Sequence, residues 1–188
     1  MIEELLLGLD SEQPRIRYGA AKALRQCSEQ DPAGVYPHFD RFLALMEGDN
    51  TFLRWGSERI LGNLAAVDRD NKFENVLDRF LAPVSGHEMI GAANVMAAAA
   101  QIACAKPHLS DRIARKLLQV SRATYGKPEC RNVAIGHALR ALDRFFPHLR
   151  NKRPALAFAR KQLANPRPAT RRHAERFLKH WYEISHPR

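Results

Sequence analysis

Three cysteines in 188 residues, Cys27, Cys104 and Cys130, are too few and too far apart for a disulfide framework. With no C-x-x-C spacing they fit free thiols in a reducing compartment, where cysteine behaves as a small apolar core residue. Eight histidines are present, yet none forms H-E-x-x-H or an i,i+4 pair. His173 and His180, seven apart, could share a helix face, but no carboxylate or cysteine completes a metal set, so no metal is expected. A P-loop, G-x-G-x-x-G and G-x-S-x-G are all missing, and Asp and Glu are too scattered for a paired-carboxylate mechanism. The sequence therefore supports no named reaction, no catalytic residue and no cofactor. Long apolar runs are also lacking: the longest uncharged stretch, Met89 to Ala105, is 17 residues and mostly alanine. A membrane span needs about 20 strongly apolar residues, so membrane insertion is not expected. Met1 to Leu9 is apolar, but Glu3 and Glu4 stand where a secretory leader carries positive charge. The expectation is a cytoplasmic protein.

What the chain does have is charge of uneven sign. Residues 1–105 carry 10 Lys and Arg against 15 Asp and Glu, whereas residues 106–188 carry 20 against 5. The second part is strongly cationic and suits an anionic partner, or else is a solvated basic surface. The other conspicuous stretch is Glu88–Lys106, EMIGAANVMAAAAQIACAK, whose composition favours a helix apolar almost all round. Such a helix is buried from several sides.

Flanking segments share a rhythm of about 36 to 42 residues. MIEELLLGL precedes PRIRYGAAKALRQCSEQDP, in which Ile16, Ala20, Ala23, Leu24 and Cys27 share one helical face. Pro14 suits the first turn, with Ser11 or Asp10 as its cap. HFDRFLALM then precedes TFLRWGSERILGNLAAV, where Leu53, Ser57, Ile60, Leu61 and Leu64 replace the earlier set and Tyr18-Gly19 maps onto Trp55-Gly56. A glycine twice at one helical position suggests close backbone approach. KFENVLDRFLAPV pairs with the alanine-rich stretch, SDRIARKLLQVSRA with PECRNVAIGHALRALDRFF, and RPALAFARKQLAN with PATRRHAERFLKHWYEI. Proline ends four of the second helices, at Pro32, Pro107, Pro147 and Pro187. A helix-opening P-x-x-R recurs as Pro14/Arg17, Pro128/Arg131 and Pro168/Arg171, with Thr51/Arg54 as a variant. The pattern predicts one all-α domain over residues 1–188, built of units 1–32, 33–70, 71–107, 108–147 and 148–188. No unit could bury its apolar face alone, so neighbours must stack.

PRIRYGAAKAL, TFLRWGSERIL and PATRRHAERFL resemble the second helices of the HEAT-repeat, armadillo-like family. The resemblance spans nearly the whole chain and implies an α-α superhelix, a right-handed solenoid of about five helix pairs. The family's turn aspartate has counterparts in Asp10 and Asp49, but Lys127-Pro128 and Arg167-Pro168 replace it later. HEAT arrays serve mostly as binding surfaces, so the function implied is a non-enzymatic scaffold. One enzymatic branch, the DNA alkylation-repair glycosylases, is similar in Trp55 with Glu58-Arg59 and in Arg171-Arg172, although no catalytic residue carries over. Bilin lyases of phycobiliproteins form another branch with the same generic repeat.

In this architecture the second helices line the concave side. Positions facing away from the apolar set read Tyr18, Lys22, Arg25; Trp55, Arg59, Gly62; Gly91, Val95, Ala98; Val133, His137, Arg140; and Arg172, Arg176, Lys179. The stripe is basic at both ends, aromatic near the start and small in the centre. Gly91, Val95 and Ala98 would form a shallow apolar floor, and Ile90 breaks the repeat as core or contact. Tyr18, Lys22, Arg25, Trp55, Arg59, His137, Arg140, Arg172, Arg176 and Lys179 are the expected partner-binding residues. The expected partner of this monomer is a protein or peptide with an acidic surface. Nucleic acid is the alternative, since cations neutralise phosphates and aromatic rings stack on bases.

Overall fold

Proline and asparagine decide where the long helices begin. Pro14, Pro128 and Pro168 each occupy a first turn, where the missing N–H removes no hydrogen bond. Asn50 caps its helix, its Oδ1 accepting from the Phe52 and Leu53 amides at 3.1 Å. The computed structural model describes residues 1–185, among which every regular element is helical. The chain is all-α. His186, Pro187 and Arg188 lie outside the described residues, as does the side chain of Glu183. Residue contacts divide the chain into two compact units, Met1–Phe80 and Leu81–Arg188.

The first unit holds α1 (Ile2–Gly8), α2 (Pro14–Gln30), α3 (Pro32–Val35), α4 (Phe39–Glu47), α5 (Thr51–Leu64) and α6 (Lys72–Leu81), whose last residue falls at the division. α2 packs on α1 and α5, and α4 packs on α5. Leu24, Phe39, Leu61, Leu64 and Phe73 are fully buried, with Phe73 edge-on to both Phe39 and Phe80 at 5.1 and 5.9 Å. A buried carboxylate closes the turn before α6: Asp68 accepts from the Tyr36 hydroxyl at 2.7 Å and from the Lys72 and Phe73 amides at 2.8 and 3.2 Å. Burial, then the bond to Asp68, push the Tyr36 phenol well above its ordinary pKa. On the surface Arg41 pairs with Asp10, Lys72 with Asp40 at 2.7 Å and Arg79 with Glu47 at 2.6 Å.

The second unit holds α7 (Met89–Ala105), α8 (Ser110–Leu117), α9 (Pro128–Phe145), α10 (Arg153–Lys161) and α11 (Pro168–Ser185). α7 packs on α9, α9 on α11, and α10 on α11. Small side chains let α7 bury its faces: Ala92, Val95, Met96, Ala99, Ala100, Ile102 and Ala103 are all sealed from solvent. At the other end Phe146 meets Phe177 and Trp181 at 5.1 and 4.7 Å, and the Trp181 indole donates to Asp143 at 2.7 Å. No helix among the described residues is long and apolar enough to cross a membrane.

The recurring P-x-x-R has a local explanation. Arg17 Nη1 folds back to the Ser11 carbonyl at 3.2 Å, and Arg171 Nη1 to the Asn165 carbonyl at 2.8 Å. Each arginine thus serves a backbone oxygen just ahead of the helix. Gln13, and neither Ser11 nor Asp10, is the N-cap residue of α2, and it caps through no side-chain bond.

Several expectations are corrected. Ile16 stays 48% exposed on the first turn of α2, although it lies beside Ala20 against Gly8 of α1. Gly91, Val95 and Ala98 are buried and form no open floor, whereas Ile90 is exposed. Cys104 is exposed on α7, and Cys27 and Cys130 are half-buried, so none is a sealed core residue. Gly19 and Gly56 make no close approach: a methyl group at either would meet nothing within 4 Å. Close approach occurs instead at Gly136 on α9, where a methyl group would lie 3.1 Å from Thr170 Oγ1 and 3.4 Å from His173 Cδ2. Gly19→Ala and Gly56→Ala are expected to stabilise the protein by about 0.5–1 kcal/mol each, the helix-propensity gain. Gly136→Ala is expected to destabilise it by about 1 kcal/mol, since overpacking outweighs that gain. Urea denaturation of the three variants checks both signs.

Candidate anion-binding site

The sites on α9 and α11 are set by one close contact. Because Gly136 has no side chain, Thr170 on α11 reaches α9 and donates its hydroxyl to the Asn132 carbonyl at 2.8 Å. Buried Asn165 supports this junction, donating to Asn132 Oδ1 at 3.3 Å and Gln162 Oε1 at 2.9 Å while accepting from the Arg167 amide at 3.0 Å. Arg167 itself is paired with Glu129.

Above the junction lie two His–Arg pairs, each three residues apart on one helix. Arg140 Nη2 is 2.8 Å from His137 Nδ1, and Arg176 Nη2 is 2.7 Å from His173 Nδ1. Guanidinium has only donors, so His173 Nδ1 accepts and its ring proton sits on Nε2, while Arg140 Nη2 also lies 3.3 Å from His137 Nε2. Two adjoining depressions share Ala169 and His173. One, of about 130 Å³, is walled by Gly136, His137, Arg140, Thr170 and His173. The other, of about 240 Å³, is walled by Arg172, His173 and Arg176. Burial, then Arg140 and His173, hold the His137 imidazole down to about 4. His173 is lowered by burial and then by Arg140, Arg176 and Arg172. Both rings are neutral near pH 7, and the positive field converges on His173.

Of the expected partner-binding residues, the structure brings His137, Arg140, Arg172 and Arg176 together around these depressions. Lys179 is exposed farther along α11. Among the described residues, none of Arg140, Arg172, Arg176 and Lys179 has a carboxylate partner. In the first unit Arg25 is turned to Glu29 at 2.7 Å, while Lys22 and Arg59 are exposed. Tyr18 and Trp55 join one aromatic group through Phe52, with ring centroids 5.4 and 5.5 Å apart. Asn50 and Arg17 donate to the Tyr18 hydroxyl at 3.3 and 3.4 Å and hold its phenol below the ordinary pKa.

Sequence reasoning weighed His173 only as a metal ligand, and it missed Thr170, Gly136 and the 62% exposed Phe52. A signal for the histidine was present: His137-Ala-Leu-Arg140 and His173-Ala-Glu-Arg176 repeat H-A-x-R, and Lys22-Ala-Leu-Arg25 is a third version. Among the described residues no group of three His, Cys, Asp or Glu is placed to hold a metal ion.

No protein-family signature and no curated protein sequence matches the chain. Among solved structures, the crystal structure of an engineered protein aligns over 95% of this chain and 97% of its own, at 16% identity and a TM-score of 0.44. The all-α assignment rests on the chain's own helices.

The neutral histidines give stability a pH dependence. An unfolded histidine takes up its proton near 6.5, while folded His137 resists until about 4. Its contribution is complete above pH 6.5 and is lost as pH falls toward 4. His137→Gln is expected to flatten the acid-side loss of stability across that window. Urea midpoints measured at a series of pH values check this, and unchanged slopes would contradict it.

Proposed function

We propose that the chain is a non-enzymatic binding module, a right-handed solenoid of HEAT-like helix pairs, that holds a protein or peptide with an acidic surface. Its principal contact is the cationic face of α9 and α11. One observation carries this reading: Arg140, Arg172, Arg176 and Lys179 have no carboxylate partner among the described residues, while Arg25, Arg41, Lys72 and Arg79 of the first unit are each paired. The first unit carries 10 Lys and Arg against 14 Asp and Glu, the second 20 against 6. A face of uncompensated guanidinium groups is stabilised by anions from elsewhere, and guanidinium geometry suits bidentate carboxylate recognition.

Nucleic acid is less well supported. A single-strand binder interleaves cations with aromatic platforms. Here the Tyr18–Phe52–Trp55 group belongs to the acidic first unit, and no Phe, Tyr or Trp lines either depression beside Arg140, Arg172 and Arg176.

Fluorescence anisotropy with a labelled polyglutamate peptide, and with single- and double-stranded oligonucleotides, tests the reading at low salt. Arg140→Glu combined with Arg176→Glu is expected to weaken peptide binding at least about tenfold, as loss of close charge pairs does at interfaces. Equal binding by the variant would reject the reading. Binding of oligonucleotides alone, with a steep salt slope, would replace it with the nucleic-acid alternative.

A further inference from the structure

We infer that the paired depressions between α9 and α11 form a discrete site for a tetrahedral phosphoryl group, seated against His173. This deepens the acidic-partner reading and rests on it: the group recognised is a phosphomonoester borne by the bound peptide, with inorganic phosphate as its smallest mimic.

Three features separate this site from a merely basic surface. First, the donors are held by structure. Arg140 and Arg176 each spend a donor on a histidine of their own helix, at 2.8 and 2.7 Å, which orients the guanidinium and leaves its remaining N–H groups for a ligand. The Arg176 contact places the His173 ring proton on Nε2, so His173 offers a neutral N–H donor within a ring of cations. Second, the site has a concave form. The 130 Å³ depression is bounded by Gly136 and Thr170 below and by His137, Arg140 and His173 around it, and Arg172 and Arg176 wall the adjoining one. An ordered water needs only about 10–15 Å³ of such space, so a tetrahedral oxyanion fits with its solvent. Third, among the described residues no carboxylate pairs with Arg140, Arg172 or Arg176. Glu129, the carboxylate that reaches its edge, is taken by Arg167 and Asn132. Asp143 on α9 is taken by Trp181 and His180.

Three guanidinium groups whose charges all act on one half-buried imidazole make a strong local field. A monovalent carboxylate answers one of those charges. A phosphomonoester carries about −1.5 to −2 at pH 7 and three acceptor oxygens, enough to bridge several donors at once. Arginine forks match that geometry.

Isothermal titration with inorganic phosphate, followed in parallel by NMR of the histidine ring signals, tests the site directly. Saturable binding is expected, with His173 and His137 signals shifting together and acetate producing neither effect. Arg172→Gln removes a guanidinium that makes no hydrogen bond within the described chain, so it tests the site without disturbing the fold. It is expected to weaken phosphate binding at least threefold, and Arg140→Gln with Arg176→Gln at least tenfold. A serine-containing acidic peptide is expected to bind at least tenfold tighter when the serine is phosphorylated, and the Arg140→Gln/Arg176→Gln protein is expected to lose that preference. No saturable phosphate binding, or equal binding by the variants, would overturn the assignment. If polyglutamate binds the α9–α11 face and phosphate adds nothing, this inference fails while the acidic-partner reading stands. If phosphate saturates the site and no acidic peptide binds, the oxyanion site stands and that reading fails.

Discussion

The hydrogen bond from Thr170 to the Asn132 carbonyl, made beside Gly136, is the contact that sets the α9–α11 face. It is short and largely buried, and it brings α11 close enough to α9 for His173 to lie beside His137. A methyl group at residue 136 would press on Thr170 Oγ1 at 3.1 Å and His173 Cδ2 at 3.4 Å, so both would have to shift by a few tenths of an ångström. The missing Cβ thus lets Thr170 and His173 sit close against α9.

Electrostatics in the two units follow different rules. In the first, four cations, Arg25, Arg41, Lys72 and Arg79, are neutralised within the fold, by Glu29, Asp10, Asp40 and Glu47. Exposed pairs of this kind each contribute about 0.2–1 kcal/mol and mainly keep the surface balanced. In the second, Arg167 is compensated by Glu129, while Arg140, Arg172 and Arg176 have no carboxylate among the described residues. Leaving like charges together is unfavourable for the isolated fold. It is tolerated because the guanidinium groups remain exposed to water and because neutral imidazoles, with burial and the arginines holding them unprotonated, separate them.

The helix-opening P-x-x-R is local backbone chemistry at Arg17 and Arg171. P-x-x-R recurs because an arginine on the first turn of a proline-started helix can return to a carbonyl ahead of it, as Arg17 and Arg171 do. The two recurrent glycines, Gly19 and Gly56, likewise mark no helix contact. The glycine that matters, Gly136, lies in an ordinary-looking run, IGHALRAL, and only its neighbours distinguish it.

Helix content was legible in the residues because it depends on short-range rules: 3.6-residue apolar spacing, proline in the first turn and asparagine at a cap. The alanine-rich segment was readable as a buried helix for the same reason, and Met89–Ala105 forms one. Charge asymmetry and the membership of Arg140, Arg172 and Arg176 in a basic surface also followed from sequence. Which faces of α7 were covered did not, since an almost uniformly apolar helix has no preferred side, and Gly91, Val95 and Ala98 turned inward. Nor could spacing pair His137 with His173, 36 residues apart, because that meeting depends on the approach distance of two helices. The sequence by itself determined the all-α architecture and the sign of the second unit's surface. Tertiary structure alone decided where its donors converge, because convergence depends on contacts between helices and on the close approach at Gly136.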